Sequence, residues 1–356
     1  MNKIAIITDT HWGARNDSVA FLDYYDKFYT NIFFPYLKEH GIKEILHLGD
    51  IFDRRKFINF NTLDRAREIF FDKLVSEDVV MHLVIGNHDT YFKNTNEINS
   101  PDLLLSEYKS HIKIYSKPEI VSFGNTDILL MPWMCTDNME ESLNIINNPK
   151  SAQVCMGHLE LAGFEMNKGI VIEHGMDSNI FGRFDLVCSG HFHHRSKKGN
   201  IRYLGCPYEI TWSDYGDQKG FHIFNTDTRE LDFVHNPYTM FNKIHYDDSM
   251  WKDYGAIDTL DFSDLSGTYV KVIVNTKNNP YWFDLFIDRL EKVDPLAIQV
   301  VDDNLYLNLE DDGDIVNEAE DTLSILKKFV ESAEVDIDKK EIDKILGELY
   351  VEALSI

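Results

Sequence analysis

Five short polar clusters, each at the end of a run that reads as a buried β-strand, constrain this chain more than any other feature. They are Asp9-x-His11, Gly49-Asp50-x-x-Asp53, Gly86-Asn87-His88-Asp89, Gly157-His158 and Gly190-His191-x-His193. The runs before them, at residues 4–8, 44–48, 79–85, 152–156 and 186–189, are mostly apolar and short enough to be strands. Loops at strand ends are where α/β folds gather functional side chains. Four of the five clusters place glycine before the polar residue, which lets backbone approach a ligand closely. Carboxylate, imidazole and amide donors without thiolate suit manganese, magnesium or iron. Two such cations sharing one carboxylate are the apparatus of in-line phosphoryl hydrolysis. A lone D-x-H is common, and a lone strand-end histidine more often packs or faces water. Five clusters in order point to one metal centre.

Between the clusters the pattern alternates. Phe21, Tyr24, Tyr25, Phe28 and Ile32 recur at helical spacing within 18–40, and Leu63, Ala66, Phe70 and Leu74 mark a second amphipathic helix. Further strands are expected at 112–115, 127–131, 201–204, 220–224 and 231–234. This predicts a layered α/β domain over 1–235 with two packed sheets. Beyond His235-Asn236-Pro237, a strand at 269–274, a helix at 281–293 and a strand at 297–301 suggest a small α+β unit over 236–301. Residues 302–321 hold nine acidic side chains and no basic one, the composition of a solvated linker. Over 322–356 helical periodicity returns with Leu323, Leu326 and Val330, then Ile342, Ile345, Leu346, Leu349 and Tyr350. A terminal helical hairpin with such a stripe fits docking into a partner's groove, folding back on its own domain being the alternative.

The net charge of −25 weighs against nucleic-acid binding, which favours a basic face. The charge is uneven, however: the last 56 residues carry 17 acidic and 5 basic side chains. Basic residues flank two of the clusters, Arg54, Arg55 and Lys56 after one and Arg195, Lys197 and Lys198 after another. They are candidate contacts for DNA phosphates, with ordinary solvated charge the alternative for each taken singly. Cys135, Cys155, Cys188 and Cys206 lie far apart, as expected of reduced, buried thiols. No run reads as a membrane span or signal peptide, so the expected location is the cytoplasm, without membrane attachment.

The cluster order resembles the calcineurin-like metallophosphoesterases, D-x-H … G-D-x-x-D … G-N-H-D … G-H … G-H-x-H. The resemblance implies a four-layer α/β/β/α sandwich with a small α+β capping domain and a C-terminal helical hairpin. It implies that Asp9, His11, Asp50 and His193 hold one divalent cation. Asp50, Asn87, His158 and His191 would hold the other. His88 would act as general acid, Asp89 would orient it, and Asp53 would stand behind the ligands. Gly49-Asp50-Ile51-Phe52-Asp53, Pro132-Trp133-Met134, Gly190-His191-Phe192-His193 and Gly205-Cys206-Pro207-Tyr208 resemble more narrowly the SbcD-type nuclease subunits of double-strand-break repair. Met131-Pro132-Trp133-Met134-Cys135 and the final Tyr350-Val351-Glu352-Ala353 are most similar to the branch of large tailed phages. That group implies a manganese enzyme, with magnesium an alternative. It implies 3′→5′ exonuclease activity on duplex DNA and endonuclease activity on single strands. It also implies a homodimer bound to an SbcC-type coiled-coil ATPase as a two-plus-two heterotetramer. Where archaeal and eukaryotic members often carry histidine this chain has Asp53, so a role of that position in strand selection does not carry over.

His47 and His82 lie inside apolar strands and are expected as packed core residues. His194 is expected at the surface, and the aromatic stripe in 18–40 as core or dimer contact. Two other functions compete with the nuclease. An independent phosphatase or phosphodiesterase acting on a small molecule or phosphoprotein explains the acidity better, but not the segments after 235. A non-catalytic scaffold would have lost ligands, and none is missing.

Overall fold

The computed structural model describes residues 2–302 apart from 149, 151, 168 and 169. In chain order its strands begin with β1 (Lys3–Ile7), β2 (Glu44–His47), β3 (Val80–Val84), β4 (Ile112–Tyr115), β5 (Glu119–Phe123), β6 (Thr126–Met131) and β7 (Val154–His158). After the short pair β8 (Glu165–Asn167) and β9 (Ile170–Val171) come β10 (Leu186–Gly190), β11 (Ser196–Lys198), β12 (Ile201–Tyr203), β13 (Gly220–Asn225) and β14 (Leu231–His235). They form two six-stranded sheets, ordered β14-β13-β1-β2-β3-β4 and β11-β12-β10-β7-β6-β5. In the first, β1 to β4 run parallel while β13 and β14 pair antiparallel. In the second, β6, β7, β10 and β12 run parallel. All five polar clusters therefore emerge from the carboxyl ends of parallel strands.

Alternation along each strand builds the layers. Ile4, Ile6, Leu46, Leu48 and Val84 face Ile128, Leu130, Val154, Met156 and Cys188 between the sheets. The opposite faces, Ala5, Ile7, Ile45, Met81 and Leu83, lie under two helices. Helix α1 runs through Val19–Phe28, Tyr29–Phe33 and Phe34–Glu39, and α2 through Phe60–Ala66, Arg67–Phe71 and Asp72–Ser76. In each the middle segment is a π-helical turn. Both turns adjoin consecutive buried aromatics, Phe33-Phe34 and Phe70-Phe71, and a widened turn lets two adjacent side chains face one core. Chain reversal ends α1: Gly41 has φ 61°, and Ile42 N–H returns to the Leu37 carbonyl at 2.8 Å. On the outer face of the second sheet, α3 (Met139–Asn147) adds Ile146 to a core with Leu129, Met131, Cys155 and Val187. The order is helices, sheet, sheet, helix, the four-layer sandwich that was expected.

A third sheet, β15-β16-β17, is built from β15 (Phe241–Asp247), β16 (Tyr269–Thr276) and β17 (Ala297–Asp302). Helix α4 (Pro280–Glu291) covers it, started by Pro280 at its first position and by Asn279, whose side chain accepts from the N–H groups of Tyr281 and Trp282. This lobe has its own core of Tyr246, Phe262, Val270, Val272, Phe283, Phe286 and Leu290. It joins the sandwich through Phe241 and Tyr269, whose ring centroids each lie 6.1 Å from that of Phe21. The described residues up to Val300 form one compact unit. Residues 303–356 lie outside the described residues, and with them the acidic linker, the terminal hairpin and Ile342, Ile345, Leu346, Leu349 and Tyr350.

Strands β5 and β15 and helix α3 were not foreseen. Strand β5 is an edge whose side chains are largely exposed, β15 has polar Asn242, Lys243 and His245 interrupting its apolar residues, and α3 fully buries only Ser142 and Ile146. Neither strand has the apolar period that a sequence reading depends on, and in α3 the helical spacing of Met139, Leu143 and Ile146 runs over only nine residues. The four cysteines are buried and free. No helix among the described residues is long and apolar enough to cross a membrane.

Candidate metal centre

The loops leaving β1 and β2 stay paired beyond the strands. Asp9 N–H reaches the Gly49 carbonyl at 3.0 Å, His11 N–H the Asp50 carbonyl at 3.1 Å and Trp12 N–H the Ile51 carbonyl at 2.9 Å. This fixes two polar clusters against each other. Asp9, His11, Asp50 and His191 all adopt left-handed backbone, with φ of 53°, 42°, 55° and 83°. Such conformations cost non-glycine residues about 1–2 kcal/mol each and collect at functional sites. The glycine before Asn87 has a different reason: a Cβ on Gly86 would fall on Asp50 Oδ1. On Gly190 it would fall on Thr8 Oγ1.

Two groups of donors converge, Asp9 with His11 and His193, and Asp50 with His158 and His191. His11 and His193 turn their Nε2 atoms to each other at 3.1 Å. In the second group Asn87 Oδ1 lies 2.8 Å from His158 Nε2 and 3.0 Å from His191 Nδ1. Asp50 Oδ2 stands between the groups, 3.2 Å from His158 Nε2 and 3.9 Å from His11 Nε2. Its Oδ1 accepts the His88 N–H at 2.8 Å. His158 faces the Leu48 carbonyl with Nδ1 at 2.8 Å, so that nitrogen carries a proton and Nε2 is the atom that would face a cation. Imidazole lone pairs and carboxylate oxygens packed this closely repel one another unless protons or cations lie between them.

The electrostatics state the same need. Burial would lower the His11 imidazole, yet Asp53, Asp50 and Asp9 raise it to about 10. Burial opposes charge on His158 too, and Asp50 with Asp9 raises it to about 9. Burial would raise Asp50, but His158, His88 and His11 hold it well below the usual carboxylate range. Burial and neighbouring imidazoles instead push His193 down to about 4 and His191 well below normal. A buried field strong enough to load protons onto histidine fits cation ligation. A third group, His193 with Cys206 and Asp214, does not fit: the Lys219 ammonium sits 2.6 Å from Asp214 Oδ1 and supplies the positive charge itself.

The supporting residues differ in part from expectation. Asp89 was expected to orient His88, but both its oxygens are engaged by backbone. Oδ2 accepts from Asp50 N–H at 2.9 Å and Gly86 N–H at 2.8 Å, and Oδ1 from Ile51 at 3.0 Å and Phe52 at 3.4 Å. Burial and Asp50 push its carboxyl up to about 6, against the pull of those donors. The His88 ring instead places Nδ1 2.5 Å from the Asp53 carbonyl oxygen. The Asp53 side chain stands behind His11, with Oδ1 3.4 Å from Nδ1. His194 is not free at the surface, since Asp217 holds Nδ1 at 2.7 Å and Glu165 lies 3.4 Å from Nε2. His47 and His82 are buried as expected. Among the basic residues, burial lowers Arg55 while Asp50 and Asp89 act on it from nearby. Arg54 is tied to Asp17 at 2.9 Å, Lys56 is exposed, and Lys198 lies over the Phe164 ring. Arg195 lies over the Phe233 ring and Lys197 is exposed.

Three features went unread in the sequence. Lys219 is buried and donates to the His193 carbonyl at 2.8 Å, Tyr208 donates to the Thr10 carbonyl at 2.6 Å, and Trp133 lies beside His191, the rings tilted by 46° with centroids 5.4 Å apart. Gly205-Cys206-Pro207-Tyr208 stood out by resemblance only, and a single lysine before a strand carries no signal.

The sequence profile of the calcineurin-like phosphoesterases matches residues 2–195. The chain belongs to the calcineurin-like phosphoesterase family. Exonuclease subunit 1 of Enterobacteria phage T4 is 35% identical over 320 residues, 89% of this chain and 90% of that protein. As a calcineurin-like phosphoesterase it is a metal-dependent hydrolase, and divalent cations belong to its chemistry. Looser likenesses are to an archaeal phosphodiesterase (13% identity, 66% of this chain and 99% of that one, TM-score 0.34) and to a dimetal phosphatase from Danio rerio (13%, 65% and 95%, TM-score 0.38).

Proposed function

We propose that this chain is the nuclease subunit of an SbcCD-type recombination and repair complex that cuts the phosphodiester backbone of DNA. It would act as a 3′→5′ exonuclease on duplexes and an endonuclease on single strands. The observation carrying this reading is the reach of the T4 likeness: 320 aligned residues extend well past the five clusters into the lobe after residue 236. A phosphatase sharing only the metal loops would lack that reach. On this reading 236–301 is a capping domain, 302–321 a linker, and 322–356 the dock for an SbcC-type coiled-coil ATPase in the infected cell's cytoplasm. Exposed Phe57, Phe60 and Leu103 support pairing with a second copy in a two-plus-two assembly.

Asp9, His11, Asp50 and His193 would hold one cation and Asp50, Asn87, His158 and His191 the other, manganese in preference to magnesium. When bound, the pair polarises the scissile phosphate and lowers the pKa of attacking water. His88 protonates the leaving oxygen. With Nδ1–H donated to the Asp53 carbonyl, the mobile proton is the one on Nε2. Asp89 holds the Asp50 and Asn87 loops in register, and Arg55, Arg54, Lys56, Arg195, Lys197 and Lys198 are the proposed DNA contacts.

The test is release of nucleotides from end-labelled duplex DNA with manganese, beside His88→Ala and a chelator control. Loss of cleavage by a factor of about 10²–10⁴ in the variant, with manganese binding retained, is expected. Hydrolysis of a small phosphodiester with DNA untouched would overturn the nuclease reading.

A further inference from the structure

At the flank of the sandwich, β11 and β12 of one sheet and β13 and β14 of the other border a cavity of about 210 Å³. Its polar lining is Arg195, Ser196, Lys197, Arg202 and His222, closed by apolar neighbours including Leu204 and Leu231. In a protein of net charge −25, no lining residue is a carboxylate. Asp232, the nearest acid on β14 in register with Ile223, alternates with Leu231 and Phe233 and so takes the other face of its sheet.

The polar groups are also unsatisfied. Arg202 Nη1 and Ser196 Oγ are buried without a hydrogen-bond partner. His222 is only 7% exposed, and no described residue hydrogen-bonds its imidazole. Burial and the Arg195 charge push it down to about 3, so it faces the cavity neutral, with one N–H to donate. Arg195 is braced from outside the cavity: its guanidinium lies 3.6 Å from the centroid of Phe233, and Nη2 donates to Gln218 Oε1 at 3.2 Å. Native proteins rarely leave buried donors unpaired, and a charged one is the costliest to leave so.

Two guanidinium forks, an ammonium and an imidazole N–H make a set dominated by donors, which oxyanions satisfy. The volume equals about seven waters at ~30 Å³ each, and falls below the ~300–1,000 Å³ of pockets that enclose whole cofactors. A phosphate group fits that space; a complete nucleotide does not. We propose that this cavity is a phosphate-binding site separate from the metal centre, formed by Arg202 and Lys197, which are paired across β11 and β12, with Arg195 and His222 beside them. The loop that carries His193 continues directly into Arg195, so the site lies on the same flank as the metal centre. Its occupant is either a backbone phosphate of a bound strand, which rests on the nuclease reading, or free inorganic phosphate, which does not.

The experiment uses the full chain with a chelator present, so that phosphate cannot bind through metal. Inorganic phosphate is titrated calorimetrically at constant ionic strength into the wild type, Arg202→Gln and Lys197→Gln. Saturable one-site binding that weakens by about 10-fold or more in Arg202→Gln is expected, with circular dichroism and manganese binding unchanged. Should Arg202→Gln misfold, exposed Lys197→Gln gives the same reading through a smaller loss. No saturable binding by the wild type, or wild-type affinity in both variants, overturns the proposal. A second arm measures anisotropy of a labelled single-stranded oligonucleotide. Weaker binding in Arg202→Gln and competition by phosphate assign the site to a DNA phosphate. Phosphate binding with no effect on the oligonucleotide assigns it to the free ion. Because the calorimetric arm involves no cleavage, its outcome is independent of whether DNA is cut.

Discussion

The resemblance to the calcineurin-like phosphoesterases implies that Asp89 orients the histidine before it. Its burial and its four backbone donors make it the fastener between two metal loops instead. Asp89→Ala would leave those N–H groups buried and unpaired, at about 1–3 kcal/mol for the first and more as the loop yields. A fall in thermal midpoint together with loss of manganese binding is expected by calorimetry, and an unchanged midpoint would refute the fastening role. His82 governs a different property. Burial pushes it down to about 4, and its Nδ1 lies 2.8 Å from the Tyr115 hydroxyl. A histidine lowered in the folded state contributes stability above its unfolded value near 6.5, and that stability is lost as pH falls toward 4. Between pH 7 and 5 the loss is about 1–2 kcal/mol. His82→Leu should flatten that part of the stability profile measured by urea unfolding, and an unaltered slope would exclude His82 as its source.

Elements are where the sequence was most legible. Helices α1, α2 and α4 showed through their period and the parallel strands through their short apolar runs, because burial of a face or of a whole strand is written in consecutive residues. The segments that brace the centre from behind did not. Gly205 to Lys219 contains no regular period, yet Lys219 donates to the His193 carbonyl, Tyr208 stacks on Tyr25 of α1 at 3.9 Å, and Asp214 Oδ2 accepts from Ile210 and Thr211. This loop joins the β10 cluster to the β1 cluster and to α1. Burial would lower Lys219, but Asp214 and its neighbours hold it well above the ordinary lysine value. Removing one partner of such a pair strands the other charge, so Lys219→Met should cost about 3–5 kcal/mol. The double variant Lys219→Met with Asp214→Leu should recover part of that loss. A double-mutant cycle showing additive losses would mean that the pair is not coupled.

For the whole molecule, the centre is a junction of two sheets: β1, β2 and β3 supply Asp9, His11, Asp50 and Asn87, and β7 and β10 supply His158, His191 and His193. Cations bound there would bind the folded chain and not the unfolded one. Manganese at a hundred times its dissociation constant should add about 2.7 kcal/mol per site. Adding a chelator should lower the thermal midpoint of the wild type and leave that of Asp50→Ala nearly unchanged. Equal shifts in both proteins would place the bound metal elsewhere.

By itself the sequence determined the chemistry of this protein: which residue types gather, in what order, and at the ends of which strands. Those properties are local, since a strand's apolar run and the glycine turn after it are written in consecutive residues. Only the tertiary structure decided that Asp50 lies between the two donor groups, that Asp89 fastens backbone, that Lys219 supports His193, and that Arg202 faces an acid-free cavity. Lys219 and His193 are 26 positions apart and Asp50 and His158 108, and such pairs meet only in the folded chain, in a buried place where water no longer screens them.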